Sequence, residues 1–371
     1  MRAALVHYWL LNRRGGETVL DALCRLLPEA DIFTLFCDPA ALSEHVRGHR
    51  IVTSFLNPWR RWHRALLPFM PMALESLDLR GYDLVVSSES GPAKGVILPS
   101  TTRHICYCHT PMRYLWDLYP DYRNEYVSSP FRRALMTPFA NYLRLWDFAS
   151  AARVDHFIAN SGNVRKRIWK TYRRDSQVIH PPVDVESFYW KPASDYFLIV
   201  SELVPYKRID SAVRLFARTG RRLVVAGGGP EYRSLKSLAG RQTEFAGRVP
   251  DAQLRELYAC CRALLLPGEE DFGMTAVEAL ASGKPVIALG RGGALESVPL
   301  EEPLGGVLYD APDERNLEAA LLEFERTERL VSPMALQLYA QRFSTKEFHR
   351  KMVRVLGLTD VPEATVKSAV N

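Results

Sequence analysis

An α/β fold of two doubly wound parallel sheets is predicted by three observations. Short, strongly apolar segments alternate with amphipathic, helix-length segments along most of the chain. The alternation runs twice, on either side of Pro181-Pro182-Val183-Asp184, where two prolines stiffen the chain and end the preceding strand. At 371 residues the chain is also too long for one simple core, so two domains are expected.

In the first half, Arg2 to Tyr8 reads as strand one, and the Gly15-Gly16-Glu17 turn opens a helix through Leu27. Asp31 to Leu35 is a short second strand, followed by a stretch with little pattern. Tyr82 to Ser87 and Arg103 to Cys108 are further strands, and Phe131 to Ala152 has long helical periodicity. Val154 to Ala159 is a strand, and the Asn160-Ser161 turn caps a helix from Val164 to Tyr172. The second half repeats the scheme. Strands are expected at Tyr196 to Val200, Arg222 to Ala226, Glu244 to Ala246, Arg262 to Pro267 and Pro285 to Leu289. Helices are expected from near Lys207 to Arg218, at Asp251 to Cys260 and at Met274 to Ser282. The expected domains are therefore residues 1–182 and 183–345. An amphipathic helix within 346–360 should pack back on the first domain, and 361–371 form a flexible tail.

Composition is that of a globular protein: 47% hydrophobic and 24% charged residues. A formal net charge of +6 suits an anionic partner such as a nucleoside diphosphate, a phospholipid surface or a nucleic acid. The six cysteines have neither a common zinc spacing nor a disulfide framework, which points to reduced thiols in a cytoplasmic protein. No apolar run is long enough to span a bilayer, and the N-terminus lacks a signal peptide's layout. Between Asn57 and Met70, Trp59, Trp62, Leu66, Leu67 and Phe69 mix with Arg60, Arg61 and Arg64. This mixture suits anionic lipid headgroups on the inner face of a membrane, or equally an interdomain or core helix with snorkelling arginines. No nucleic-acid motif accompanies it, and nucleic acid is not expected as a partner.

The segment Pro267-Gly-Glu-Glu-Asp-Phe-Gly-Met-Thr-Ala-Val-Glu-Ala-Leu-Ala-Ser-Gly-Lys-Pro-Val-Ile287 carries the most chemistry. It places Glu270 and Glu278 on a strand-to-helix turn, with Phe272, Gly273, Met274 and Thr275 offering backbone N–H groups at the helix start. Two carboxylates so placed at the carboxyl edge of a sheet grip separate hydroxyl-bearing parts of one ligand. The pattern Glu-x7-Glu with Gly-x-Pro-Val-Ile after it resembles the signature of retaining glycosyltransferases of family 4. The resemblance implies a GT-B fold, in which two Rossmann-like domains face a cleft. It also implies that Glu270 binds hydroxyls of the donor sugar and Glu278 the donor ribose.

Further segments extend the resemblance. Cys108-His-Thr-Pro-Met-Arg-Tyr114 is similar to a segment of bacterial mannosyltransferases that build O-antigen and exopolysaccharide repeats. It implies that His109 contacts the donor sugar near the anomeric carbon, with Arg113 and Tyr114 as acceptor-binding candidates. His7 and Gly15-Gly16-Glu17 lie at the end of strand one, where the family's glycine-rich loop adjoins donor diphosphate and acceptor; a plain turn remains open there. Lys207, followed by Arg208, matches the family lysine that holds the diphosphate. Glu202, however, stands where the family has an arginine. Arg248 and Val249 align with the part that packs on the nucleobase. Gly227-Gly228-Gly229-Pro230 lacks the third glycine of a dinucleotide fingerprint, since Tyr232 occupies that place.

The resemblance thus implies transfer of a sugar, mannose from GDP-mannose as the leading donor, to a lipid-linked or growing glycan with retention of configuration. No cofactor and no metal are expected: nothing resembles an Asp-x-Asp clamp, and cations with helix N-termini can stabilise the leaving diphosphate. Glu202 keeps open a catalytically idle nucleotide-sugar-binding subunit. Another GT-B reaction, such as sugar-nucleotide epimerisation, also stays open, whereas the absence of a pyridoxal-phosphate lysine context disfavours glycogen-type phosphorolysis.

Overall fold

The computed structural model describes residues 1–123 and 129–358. They form two compact units. Of the described residues, the first comprises those within Met1–Asn160 and Val164–Ile179 and the chain from Phe348 to Leu358; the second comprises Ser161–Asn163 and His180–Glu347. The tail expected at 361–371 lies outside the described residues.

The first unit is built on a sheet of β1 (Ala3–His7), β2 (Asp31–Thr34), β3 (Ile51–Thr53), β4 (Leu84–Glu89), β5 (Arg103–Cys108), β6 (His156–Ala159) and β7 (Ser176–Val178). All pairs are parallel, in the order β3-β2-β1-β4-β5-β6-β7. The order reverses between β1 and β4, and such a switch point opens a crevice at the carboxyl ends of the strands. Side chains alternate across the pleat. Leu5, Val86, Ile105 and Tyr107 face α1 (Gly15–Leu26), while Ala4, Val6 and Val85 pack with Met70, Ala73 and Leu74 on the other face.

The second unit repeats the plan with β8 (Phe197–Val200), β9 (Leu223–Ala226), β10 (Thr243–Gly247), β11 (Leu264–Leu266), β12 (Val286–Leu289) and β13 (Gly306–Tyr309). These too are parallel, in the order β10-β9-β8-β11-β12-β13, with the switch point between β8 and β11. Their near-continuous apolar sequences, such as Phe-Leu-Ile-Val in β8, follow from burial on both faces. Leu198, Leu264 and Val286 pack with the helix Met274–Ala281 on one face. Phe197, Ile199, Leu265 and Ile287 pack on the other with residues of the helices Ile209–Thr219 and Glu314–Thr327.

Elements without a sequence expectation include β7, β13 and the helices Tyr232–Leu238 and Glu314–Thr327, and three further expectations are changed. The patternless stretch after Leu35 contains β3, whose residues are all half-buried and so carry no clear alternation. The helix expected from Lys207 starts at Ile209, because Lys207 belongs to a preceding 3-10 turn, Pro205–Lys207. The aromatic and arginine segment is not a continuous helix but the 3-10 turns Asn57–Trp62 and Leu67–Phe69, with Trp59, Trp62 and Phe69 about half exposed or more.

From Phe348 onward, the helix Thr345–Leu356 belongs to the first unit. Its i, i+4, i+8 stripe of Phe348, Met352 and Leu356 is buried among Leu23, Cys24 and Tyr107, with the Phe348 and Tyr107 rings 5.7 Å apart. Arg103 Nη2 donates to the carbonyl of Val355 at 2.9 Å, so strand β5 also holds the helix end. Phe348→Ala is expected to destabilise the first unit by about 3–5 kcal/mol, through lost burial and the cavity left behind. Chemical denaturation checks this; a loss below about 1 kcal/mol would mean that the ring lies outside that core.

Candidate active site

In the second unit, the chain leaving β8 and the chain leaving β11 meet at the switch point. Lys207 Nζ lies 2.5 Å from Glu270 Oε2, with both side chains mostly shielded from solvent. The contact depends on Gly268, since a side chain there would fall 2.6 Å from the Cα of Lys207 and hold the two loops apart. Burial disfavours the Lys207 ammonium, but the Glu270 carboxylate and the Tyr206 hydroxyl reverse that, and its pKa rises. The loop continues into the helix Met274–Ala281, with Gly273 at its N-cap in a left-handed conformation (φ 86°). Glu278, one turn further in, accepts a hydrogen bond from the Tyr258 hydroxyl at 2.6 Å. Burial raises the Glu278 pKa, and the Tyr258 bond partly opposes that rise.

The surroundings brace this loop. Gly293 N donates to the carbonyl of Glu270 at 2.8 Å, Ser161 Oγ donates to the carbonyl of Asp271 at 2.6 Å, and the His180 ring stacks on Phe272. Phe272 and Gly273 are buried, while Met274 and Thr275 are half-buried in the first turn. That turn has the N–H groups that no helix satisfies internally. Arg248 is exposed and lies over Gly228, and Val249 follows it, half-buried. Arg208 is exposed, adopts a left-handed conformation (φ 54°) and reaches the carbonyl of Pro312 at 3.3 Å. The structure thus brings Lys207, Glu270 and the start of the Glu278 helix together, whereas Arg208 turns to another loop. Glu202 is half-buried on the same segment as Lys207, whose carboxylate partner is Glu270.

In the first unit, His109 follows β5 directly, and its N–H donates to the carbonyl of Glu89 at 2.6 Å. Its Nε2 lies 2.9 Å from Ser88 Oγ at the end of β4. Burial, with His7 as the second cause, drives the His109 pKa down to about 3, so the ring is neutral. Gly15 and Gly16 open α1 beside it. Arg113 pairs with Asp117 (3.2 Å), and the Tyr114 hydroxyl points to Met112 Sδ (3.0 Å), so both acceptor candidates are engaged within their own loop. A buried ionic cluster holds that loop from below. Lys94 pairs with Asp147 and, at 3.0 Å, with Glu89, and Asp147 also accepts from Trp116 Nε1 at 2.7 Å. Burial pushes the Glu89 pKa up to about 7 despite Lys94. Ser88, Tyr258 and Asp147 carry no motif of their own, and only their contacts reveal them.

Two family models match the chain: Glycosyltransferase Family 4 over residues 13–187 and Glycosyl transferases group 1 over residues 184–342. The chain belongs to the family 4 glycosyltransferases. Its two Rossmann-like units have the GT-B fold. The structure is similar to that of Anabaena Alr3699/HepE in complex with UDP, with a TM-score of 0.70 at 17% identity over 96% of this chain and 100% of that one. In sequence it is similar to the O-antigen chain mannosyltransferase RfbU of Salmonella typhimurium, at 28% identity over 52% of this chain and 57% of the relative. It is also similar to the GDP-mannose-dependent alpha-mannosyltransferase of Mycolicibacterium smegmatis, at 36% identity over 27% of this chain and 26% of the relative. The chain spans about half the length of the curated relatives it matches.

A pH dependence follows from His109. Its folded pKa lies below the ordinary value near 6.5, so its contribution to stability is full above pH 6.5 and is lost as pH falls towards about 3. In that window only the unfolded chain takes up the proton, which lowers stability by about 1.4 kcal/mol per pH unit. His109→Gln should flatten the acid limb of a stability-versus-pH curve by about that slope. An unchanged slope would show that the imidazole titrates normally in the fold.

Proposed function

We propose that this glycosyltransferase transfers mannose from GDP-mannose, with retention of configuration, to a hydroxyl of a lipid-linked or growing glycan. The observation that carries the reading is the Lys207–Glu270 pair at the switch point, with Glu278 one turn into the adjoining helix. A cation for the diphosphate, a carboxylate for sugar hydroxyls and a second carboxylate for the ribose thus occupy one sheet edge. That is the set a nucleotide-sugar needs, and it recognises substrate and leaving group through charge-assisted hydrogen bonds.

The similarity to RfbU and to a GDP-mannose-dependent enzyme supports mannose and GDP. His109 takes the sugar-contact role that its family position implies, as a neutral ring that can both donate and accept. Phe272 to Thr275 offer the helix start to the diphosphate, and Arg248 and Val249 flank the base. Gly15 and Gly16 keep the backbone approach open in the first unit, and Arg113 and Tyr114 border the acceptor. Lys207 and the helix start stabilise the departing diphosphate without a metal, and the leaving phosphate oxygen takes the acceptor proton. Among the described residues no helix is long and apolar enough to cross a membrane. The exposed Trp59, Trp62 and Phe69 beside Arg60, Arg61 and Arg64 support peripheral contact with an anionic membrane surface.

Incubation with a panel of nucleotide-sugars should release nucleotide from GDP-mannose ahead of the UDP-sugars, faster when glycan acceptor is present. Release from none of them would contradict the reading. Within the site, the two members of the ion pair should respond with opposite sign. Lys207→Ala should weaken GDP binding at least about 10-fold, as expected for one lost hydrogen bond to a charged group. Glu270→Gln should bind GDP as well as wild type or better, because a negative charge near the phosphates is gone. Its turnover should nevertheless fall roughly 10- to 100-fold. Titration calorimetry and turnover on both variants check this; parallel losses of GDP affinity would refute the division of roles.

A further inference from the structure

The switch point of the first unit holds a polar group that neither the fold nor the proposed donor site uses. His7, the last residue of β1, is fully buried, and neither ring nitrogen has a hydrogen-bond partner. A buried histidine in that state is costly unless it serves a ligand. Its Nε2 faces Glu17 Oε1 at 3.6 Å, too far for a direct hydrogen bond. Glu17 is itself buried, and its other oxygen accepts from Arg14 N at 2.9 Å, which fixes the carboxylate at the head of α1. The head is built close to these rings. A side-chain carbon on Gly16 would fall 2.8 Å from the Tyr8 hydroxyl and 3.7 Å from both His7 Cε1 and His109 Nε2.

We propose that His7 and Glu17 form a hydroxyl-binding site in the first unit, holding a sugar hydroxyl at the head of α1. This assignment rests on the glycosyl-transfer reading, which it deepens by giving the first unit a sugar contact besides His109. The chemistry selects the ligand. An oxygen about 2.8 Å from each can bridge two atoms so spaced, and a hydroxyl donates to the carboxylate while accepting from the imidazole N–H. A phosphate would bring its negative charge against the Glu17 carboxylate and be repelled by it, although helix heads otherwise attract anions. A metal ion would want a third ligand, and among the described residues no group of three or more His, Cys, Asp or Glu is gathered to hold one.

Two measurements on the full chain test the site. If His7 serves a ligand rather than the fold, His7→Leu removes an unpartnered polar group and should melt at or above the wild-type temperature. A melting temperature lower by several degrees would make His7 a structural residue and overturn the proposal. In wild-type protein labelled with 15N-histidine, the His7 imidazole resonances should shift on titration with methyl α-mannoside and stay unmoved by inorganic phosphate. A shift with phosphate alone would make this an anion site, and no shift with either would leave no site; both results overturn the proposal. The assay on GDP-mannose is independent. A wild-type protein that transfers nothing yet shifts with methyl α-mannoside would retain the sugar site while losing the transfer reading.

Discussion

The contact between Lys207 and Glu270 ties together the two loops that leave β8 and β11. A shielded ion pair is not kept for stability alone, since desolvation takes back much of the Coulombic gain. What it secures here is geometry: Gly268 lets the backbones touch, Gly293 anchors the carbonyl of Glu270, and the next residues enter the helix that carries Glu278. Under the donor-binding reading, the pair also acts as the resting state of the site. The carboxylate satisfies the lysine until a diphosphate does, and the freed carboxylate then turns to sugar hydroxyls. Breaking the pair without a substrate would strand a partly buried charge, so the groups stay in place between encounters.

The two units solve the same topological problem in the same way. Each sheet reverses its strand order next to its first strand, and in each the polar groups collect at the carboxyl ends flanking that reversal. In the second unit these are Lys207 and Glu270; in the first they are His7, Ser88 and His109. The difference lies in charge. The second unit joins a cation to a carboxylate and suits an ionic ligand, whereas the first gathers imidazole rings and a serine hydroxyl around α1, with Glu17 already at its head. The buried Lys94–Asp147–Glu89 cluster explains how the loop beyond His109 stays ordered there, since Trp116 is hydrogen-bonded to the same carboxylate.

Much of the fold was legible because buried parallel strands are short, continuous apolar runs and the helices between them have one apolar stripe. β4, β5, β8 and β12 stand out for that reason. β3 and β7, with three residues each and no fully buried position, lack the signal, and both lie at the edges of their sheet. The final helix was visible through the spacing of Phe348, Met352 and Leu356. In the candidate site, Glu270, Glu278 and Lys207 were legible from local motifs. Their pairing was not, because it joins loops that the chain order separates by three helices and three strands. Tyr258 supports Glu278 from another helix, and His7 becomes conspicuous only when its ring nitrogens prove to lack partners. Such contacts are properties of packing, and no periodicity encodes them.

The central claim is that Glu270 and Glu278 read different parts of one nucleotide-sugar. Saturation-transfer NMR with GDP-mannose, comparing wild type with Glu270→Gln and Glu278→Gln, tests it most directly. The account predicts that Glu270→Gln weakens the mannose signals while the ribose signals persist, and that Glu278→Gln weakens the ribose signals more than the mannose ones. Equal attenuation of both sugars in both variants, or full wild-type signals in each, would contradict it.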